Sequence, residues 1–287
     1  SIVGFLAVTM AVALCYGIAL KGLRPVSKLA AIVDQVDVHR LSHRVNEEPW
    51  PEELQPLAQK FDGLLSRLEA SFSRLSQFSA DIAHELRTPL QILGGEAELT
   101  LTRAASMEGY RACIESAADE YERLSRMVDA LLFLARSEQP DAHIDRQMLD
   151  AKQEVIAVFD FYQAMADEQS ITFTCFGEGT ISADSALLRR ALSNLVANAL
   201  RHTSDGGRIT VEIQPQPERT VTLIVNDTGY GIPPEDLPRV LERFYRADAA
   251  RSRERQGTGL GLAIVQSIMH LHGGTISIRS EINRGTA

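Results

Sequence analysis

The sequence predicts a multi-domain fold: a transmembrane helix, then all-α bundles whose helices pair in a dimer, then an α/β sandwich. Three observations support this prediction. An uncharged apolar run opens the chain, long segments with a single apolar stripe follow it, and short β runs alternate with helical patterns from about residue 144 to the end. A length of 287 residues suits two or three modest domains.

Charge and cysteine content exclude several function classes. The formal net charge is −9, so a phosphate backbone would repel the chain and we expect no nucleic-acid partner. Cys15, Cys113 and Cys175 are too few and too scattered for a metal site or a disulfide framework. Hydrophobic residues make up 45% of the chain, which is enough for a buried core.

Residues 1–20 are predicted to form the transmembrane helix. The run from residue 2 to 20 carries no charge and nearly reaches the length of about 20 residues that spans a bilayer core. Lys21 and Arg24 follow at once, which places the remaining chain in the cytoplasm, at the inner (plasma) membrane. A signal peptide would carry its positive charge before the apolar run. The alternative is a buried helix of a soluble protein, although such helices are rarely apolar on every face.

Residues 21–71 are predicted to form two amphipathic helices joined by a polar connector. One apolar stripe begins at Val26 and the other at Leu54. Neither stripe can be buried by its own helix, so we expect a four-helix bundle in a homodimer. An ordinary helical hairpin is the alternative.

Residues 72–138 are predicted to form a second helical hairpin. Its first helix continues from the preceding segment to about residue 103, with a soft point at Gly94 and Gly95, and its second helix spans residues 110–137. Each helix carries one apolar stripe. Pairing of the stripes, within a protomer and between two protomers, makes a second four-helix bundle.

A candidate nucleophile lies on the first helix of this hairpin. The apolar stripe there is formed by Phe78, Ile82, Leu86 and Leu90. His84 lies off the stripe, so its ring should face solvent or a partner. Glu85 can hold the ring tautomer or take its proton when phosphorus is attacked. Pro89 has no N–H for the carbonyl of Glu85 and should loosen the helix beyond the histidine. A solvated surface histidine is the alternative.

Residues 144–287 are predicted to form the α/β sandwich, with helices on one face of a mixed sheet. The predicted strands span residues 171–176, 208–214, 220–225 and 275–279. The predicted helices span residues 151–167, 185–201 and 260–270.

The first of four motifs in this domain is a pair of amides, Asn194 and Asn198, one turn apart on a single helix face. Mg²⁺ takes hard oxygen ligands and arrives already bound to phosphate, and a neutral amide completes its shell without repelling a triphosphate. Arg201, one turn further on, can supply positive charge to the phosphates. Taken alone, such a pair is more often a helix cap or a solvated face.

The second motif follows an apolar strand. The carboxylate of Asp227 can accept a hydrogen bond from an adenine amino group, and Gly229 and Gly231 let the base approach the backbone. Taken alone, this pattern is also a common turn. Ile232 completes the motif before a proline.

The third and fourth motifs lie either side of a polar run at residues 247–256, which we expect to form a lid over the nucleotide. Phe244 and Arg246 precede the run. Residues 257–262, Gly-Thr-Gly-Leu-Gly-Leu, open a helix, where backbone N–H groups bind phosphate. This is not a Rossmann fingerprint, because it does not follow the first strand of a βαβ unit.

In this order, the four motifs resemble the N, G1, F and G2 boxes of the sensor histidine kinase ATPase domain. That Bergerat or GHKL fold is shared with type II topoisomerases, Hsp90 and MutL. Residues 84–89, His-Glu-Leu-Arg-Thr-Pro, resemble the phospho-acceptor box of the same family, and residues 21–71 resemble its HAMP relay module. The resemblance implies a protein histidine kinase that uses ATP and Mg²⁺ to phosphorylate His84 and passes the phosphate to an aspartate in the receiver domain of a response regulator.

The resemblance also implies roles for single residues. Glu85 would act as the base, and Thr88 would position the water molecule for the reverse phosphatase reaction. Asn198 would be the Mg²⁺ ligand. The residues that the resemblance implies for ATP binding are Asn194, Asn198, Arg201, His202, Asp227, Gly229, Gly231, Ile232, Phe244, Arg246, Gly257, Thr258, Gly259, Leu260, Gly261, Leu262 and Thr286.

Two other functions fit part of the sequence. A clamp ATPase of the Hsp90 and MutL type would hydrolyse ATP without using His84. A non-catalytic scaffold would bind no nucleotide, but intact Asn198 and Asp227 argue against it. Within the kinase family, residues 77–84 after a HAMP module resemble heavy-metal-responsive sensors paired with winged-helix response regulators.

Two expectations concern the ends of the sequence. Ser1 is not an initiator Met, so we expect an upstream part that contains the sensor. Residues 285–287, Gly-Thr-Ala, match the start of the family's last Gly-Thr segment, after which a final strand is expected. Without that strand, backbone groups on its neighbour would lack partners and stability would be lower.

Overall fold

The computed structural model describes residues 10, 12, 44–45, 50–102, 106–139, 143–216, 220–246 and 258–287. Nearly all of the predicted transmembrane helix, the first of the two predicted amphipathic helices after it and the predicted lid at 247–256 lie outside these residues. Within the described ranges, no helix has both the length and the hydropathy needed to cross a bilayer. The chain divides into two compact units, residues 1–85 and 86–287.

Two long helices precede the sheet. Helix α1 spans Gln55–Thr102 and helix α2 spans Met107–Ser137. The hydroxyl of Ser106 caps α2 by accepting a hydrogen bond from the N–H of Gly109 at 3.2 Å. The predicted run of one helix into the next is confirmed, because α1 is continuous through Pro89. A single proline removes one hydrogen bond, which a helix of 48 residues tolerates.

In the first unit, the described end of the connector packs against α1. Val45 is 1% exposed and lies against Ala58 and Leu65. Its N–H donates to Oδ1 of Asp62 at 2.7 Å, and its carbonyl accepts from the indole N–H of Trp50 at 2.7 Å. Both backbone groups of this buried residue are therefore satisfied.

The strands form two sheets. Strands β1 (Gln147–Asp150) and β3 (Thr180–Ala183) pair antiparallel in the smaller sheet. The larger sheet has the order β2-β4-β5-β7-β6 and consists of β2 (Thr172–Gly177), β4 (Arg208–Pro215), β5 (Val221–Asp227), β6 (Ser280–Glu281) and β7 (Gly285–Thr286). Its first pair is parallel and its other pairs are antiparallel, so the predicted mixed sheet is confirmed.

Three helices accompany the sheet: α3 (Ala151–Glu168), α4 (Ser185–His202) and α5 (Gly261–Leu271). Asp150 and Asp184 cap the first two of these helices through their side chains. The main core lies between α3, α4 and the face of β4 that carries Ile209, Val211 and Ile213. Because these strand residues alternate, they share one face. The predicted α/β sandwich is thus confirmed.

The strand predicted at residues 275–279 is wrong. The ladder begins only where Arg279 and Ala287 exchange two backbone hydrogen bonds of 2.8 Å, followed by β6. A strand needs a neighbour for its backbone groups, and residues 275–278 pair with no strand in the part of the chain that the structure describes. Strands β1 and β3 were not predicted, since four residues are too few to show a clear alternation.

Helix α2 has two apolar faces, of which the sequence pattern predicted one. The predicted stripe is largely exposed: Ile114 is 68% and Tyr121 is 70% exposed. A second face, Met127, Ala130 and Leu134, is buried against the start and middle of α5. One face of α2 therefore packs on the nucleotide domain, and the other remains available.

Candidate functional site

The end of β5 forms one wall of the candidate nucleotide site. Oδ1 of Asp227 accepts hydrogen bonds from the N–H of Gly229 at 2.8 Å and of Thr286 at 3.2 Å. Oδ2 has no hydrogen-bond partner among the described residues and is not sealed from solvent. Burial raises the pKa of Asp227, and the two N–H donors only partly offset this effect. The carboxylate is thus held in place with one oxygen left to accept from a ligand.

Glycines bring three segments together around Asp227. A Cβ on Gly229 would lie 2.3 Å from the carbonyl oxygen of His202, and a Cβ on Gly231 would lie 2.2 Å from that of Glu281. Gly231 also has φ of 73°, which favours glycine. The fold therefore requires glycine at both positions, whereas the predicted role of these glycines, approach of the base to the backbone, stays a prediction. They approach protein backbone here, at the end of α4 and at β6.

Sequence reasoning missed one residue at this wall. The hydroxyl of Ser280 accepts from the N–H of Ile232 at 2.7 Å and lies 2.9 Å from Oγ1 of Thr286. It thereby connects the second motif with the Gly-Thr segment. A lone serine directly after a predicted strand carries no sequence signal for such a role.

The amide face of α4 lies beside the start of α5. The side-chain N–H of Asn194 donates to the carbonyl of Arg190 at 2.8 Å, and its Oδ1 lies 3.1 Å from where a Cβ on Gly261 would be. The first and fourth motifs are therefore neighbours. The side chain of Asn198, one turn on, is half-buried and makes no hydrogen bond to any described residue.

Two cations lie close to one another beyond Asn198. The pKa of Arg201 is lowered, first by burial and then by the positive charge of Arg246. Holding two guanidinium groups together is unfavourable unless an anion joins them. The carbonyl of His202, the next residue, accepts from the N–H of Tyr230 at 3.3 Å, which links this end of α4 to the Asp227 turn.

The third and fourth motifs are joined through the backbone. The N–H of Phe244 donates to the carbonyl of Gly259 at 3.0 Å, and both residues have positive φ, 62° and 68°. Leu260 is completely buried in the core beneath α2, whereas Thr258 and Leu262 are half-buried. No side chain caps the N-terminus of α5, so its N–H groups can bind an anion. Gly257 lies outside the described residues.

The residues present fit a magnesium ion that arrives with a nucleotide. Within the described ranges no three His, Cys, Asp or Glu side chains cluster as metal ligands. The amide oxygen of Asn198 is a hard, neutral ligand beside the two arginines. Such a donor set is too small to hold the ion by itself and suits one that is already bound to phosphates.

The candidate nucleophile lies on α1. His84 and Thr88 are exposed and Glu85 is half-buried. The predicted outward position of His84 is confirmed. His84 and Glu85 belong to the first unit, whereas the four nucleotide motifs belong to the second.

An open depression lies along β6 and β7. It is lined in part by Asn226, Arg279 and Arg284. It shares Asp227, Ser280 and Thr286 with the wall at the end of β5 but none of the residues of α4.

Three family profiles match consecutive parts of the chain. Residues 23–70 match "Sensor protein PhoQ-like, HAMP domain", residues 74–140 match "His Kinase A (phospho-acceptor) domain", and residues 183–287 match "Histidine kinase-, DNA gyrase B-, and HSP90-like ATPase". The order is the one that the motifs predicted. The chain belongs to the sensor histidine kinases.

Known proteins agree with this assignment. The chain is 44% identical over 280 residues to the sensor protein IrlS of Burkholderia pseudomallei, covering 98% of the chain and 60% of IrlS. It is 38% identical over 267 residues to the sensor histidine kinase CusS of Escherichia coli K12, covering 93% of the chain and 55% of CusS. The chain thus spans less than two thirds of these relatives.

A solved structure supports the fold. The histidine kinase ThkA, in complex with the response regulator protein TrrA, resembles the chain with a TM-score of 0.61 at 22% identity. The likeness covers 76% of this chain and 61% of the ThkA chain.

Proposed function

We propose that the chain is the kinase portion of a membrane-anchored, homodimeric sensor histidine kinase. MgATP bound by the C-terminal domain phosphorylates His84, and the phosphate then passes to an aspartate in the receiver domain of a response regulator. The protein would lie in the inner (plasma) membrane with its kinase domains in the cytoplasm. The relatives it matches are named as sensor proteins and sensor kinases, which supports the proposal.

One observation carries the nucleotide part of the proposal: four motifs that are far apart in sequence are neighbours in the fold. Gly261 touches Asn194, Gly229 touches the backbone of His202, and Arg246 lies close enough to Arg201 to lower its pKa. The acceptor at Asp227 suits the base, whereas the arginines and the uncapped N-terminus of α5 suit the phosphates.

The proposed reaction needs a nucleophile, His84, and a base, Glu85. A lone pair on one ring nitrogen of His84 attacks the γ-phosphorus, a P–N bond forms, and the bond to ADP breaks with its electrons leaving on ADP. The remaining ring N–H becomes acidic as the bond forms, and Glu85 takes that proton. Asn198 would hold Mg²⁺, which would neutralise charge on the phosphates. The chain contributes position and electrostatic stabilisation.

The same box supports two finer proposals. Thr88 is exposed one turn beyond His84, where its hydroxyl can orient a water molecule for removal of phosphate from the regulator. We also assign the chain to the heavy-metal-responsive sensors, on the resemblance of residues 77–84 and the HAMP module.

The test is labelling with γ-³²P ATP. We expect wild type to acquire an acid-labile, base-stable label and His84→Gln to acquire none. The control is His270→Gln, which changes another exposed histidine and should label normally. A label that persists in His84→Gln, or ATP hydrolysis without any label, would contradict the kinase and favour a clamp ATPase.

A second variant separates nucleotide binding from transfer. Asn198→Ala should lose both the label and Mg²⁺-dependent ATP binding, whereas His84→Gln should still bind MgATP. Loss of MgATP binding in His84→Gln would mean that the variant is misfolded. In that case the label experiment would be repeated with His84→Asn.

A further inference from the structure

Ser280 makes three hydrogen-bond contacts at the base-binding wall, and their chemistry allows one arrangement of protons that satisfies all of them. Its Oγ lies 2.7 Å from the N–H of Ile232, 2.9 Å from the carbonyl oxygen of Gly285 and 2.9 Å from Oγ1 of Thr286. The backbone N–H can only donate, and the carbonyl can only accept. Ser280 therefore gives its proton to Gly285 and one lone pair to Ile232.

The remaining lone pair of Ser280 decides the direction of the last bond. Thr286 must donate its hydroxyl proton to Ser280, because Ser280 has already given its own proton to Gly285. The backbone N–H of Thr286 is also committed, to Oδ1 of Asp227. Thr286 thus has no proton left for a ligand, and its hydroxyl offers lone pairs only.

The adjacent carboxylate, that of Asp227, also offers only lone pairs to a ligand. Both hydrogen bonds to Asp227 fall on Oδ1, and an ionised carboxylate is an acceptor. Asp227 and Thr286 together therefore present acceptors to a ligand. Where this wall faces the 6-substituent of a purine, it matches a 6-amino group, which donates, and opposes a 6-oxo group, whose lone pairs would meet those of the protein.

We propose that Ser280 is a specificity-determining residue: by taking the proton of Thr286, it makes the base-binding wall an acceptor surface that selects 6-aminopurine over 6-oxopurine nucleotides. The inference rests on the proposed function, that this domain binds ATP. Ser280 acts through Thr286 and is a positioning residue that need not touch the nucleotide.

The test compares the dissociation constants of MgADP and MgIDP, whose bases differ in the 6-substituent and the proton on the adjacent ring nitrogen. In Ser280→Ala, the hydroxyl of Thr286 is free to turn and donate to a 6-oxo group. We expect the preference for MgADP over MgIDP to fall by about tenfold, as one hydrogen bond of ordinary strength implies. Ser280→Thr keeps a hydroxyl and should restore the preference.

Ser137→Ala is the matched control. It also removes a half-buried hydroxyl that donates to a backbone carbonyl, that of Leu134 at 2.9 Å, but on α2. We expect its MgADP preference to equal that of wild type.

A second variant isolates the path through Thr286. Thr286→Val removes the hydroxyl and should itself lower the preference, even if Ser280→Ala does not fold. In the Thr286→Val background, adding Ser280→Ala should change the preference no further.

Equal weakening of both nucleotides in Ser280→Ala would overturn the proposal, as would an unchanged preference in Thr286→Val or a further fall in the double variant. Absence of MgADP binding by folded wild-type protein would instead overturn the proposed function. Thermal melting of each variant establishes that it is folded.

Discussion

At the scale of single residues, some charged groups of the nucleotide site destabilise the folded chain when no ligand is bound. Asp227 is a carboxylate whose burial raises its pKa, so the folded chain pays to keep it ionised. Arg201 is half-buried beside Arg246, and its pKa is lowered. Groups of this kind are stabilised when a matching ligand binds, because a base amino group can donate to Asp227 and phosphates bring negative charge to Arg201.

Asp227→Asn should therefore separate stability from binding. Asparagine keeps an oxygen for the N–H groups of Gly229 and Thr286 but has no charge to bury. In wild type the folded state holds its proton more tightly than the unfolded state, so stability falls as pH rises from the ordinary value of 3.8 through the raised pKa. At pH 7 we expect the variant to melt no lower than wild type, and the difference to shrink toward pH 4.

The same variant should lose the increase in Tm that MgADP gives to wild type. Melting curves from pH 4 to 8, with and without MgADP, measure both effects. A variant that melts lower than wild type at pH 7 and still gains from MgADP would refute this account of Asp227.

At the scale of elements, α3 shows how one helix separates core from surface. Phe159 is 7% exposed and stacks on Phe173 of β2 with ring centroids 4.5 Å apart. Phe161, two residues on, is 78% exposed. Two residues turn a helix by about 200°, so these two phenylalanines lie on opposite faces of α3.

This pair of phenylalanines gives a matched comparison. We expect Phe159→Ala to lower the free energy of unfolding by about 3–5 kcal/mol, because it removes buried area and leaves a cavity. Phe161→Ala should change it by less than about 0.5 kcal/mol. Urea unfolding followed by circular dichroism measures both. Equal losses in the two variants would show that Phe161 is buried in solution.

At the scale of the whole molecule, α2 serves two interfaces. Its Met127, Ala130 and Leu134 pack on the nucleotide domain, while Ile114 and Tyr121 remain exposed on another face. Exposed apolar side chains repeated along one helix are typical of a surface that another helix covers. This pattern supports the proposed homodimer and assigns it to a face that does not compete with the nucleotide domain.

Ile114→Asp should weaken the dimer. A charge placed in an apolar interface must be desolvated without a partner, so we expect the dimer dissociation constant to rise at least about tenfold. Ala112→Asp, an exposed position on the other side of the helix, adds the same charge and should leave the dimer intact. Sedimentation velocity across a concentration series distinguishes the two variants. An unchanged dimer in Ile114→Asp would place the interface elsewhere.

Much of the fold could be predicted because it depends on neighbours in sequence. Helix α3 was predicted at residues 151–167 and spans Ala151–Glu168, since its helical pattern is a local signal. Strand β4 was likewise predicted from its alternation. The second apolar face of α2 was missed, because its burial depends on contact with α5, which is distant in sequence. The strand expected at 275–279 failed for the same reason: pairing depends on a partner distant in sequence.

The sequence by itself determined the family, the order of its domains and the residue types of the candidate site, because motif chemistry and helical spacing are written in short stretches of chain. Only the tertiary structure decided how Asp227, Ser280 and Thr286 share their hydrogen bonds. The physical reason is that a hydrogen bond has a direction set by every partner around it, and those partners come from strands and turns that the fold alone brings together.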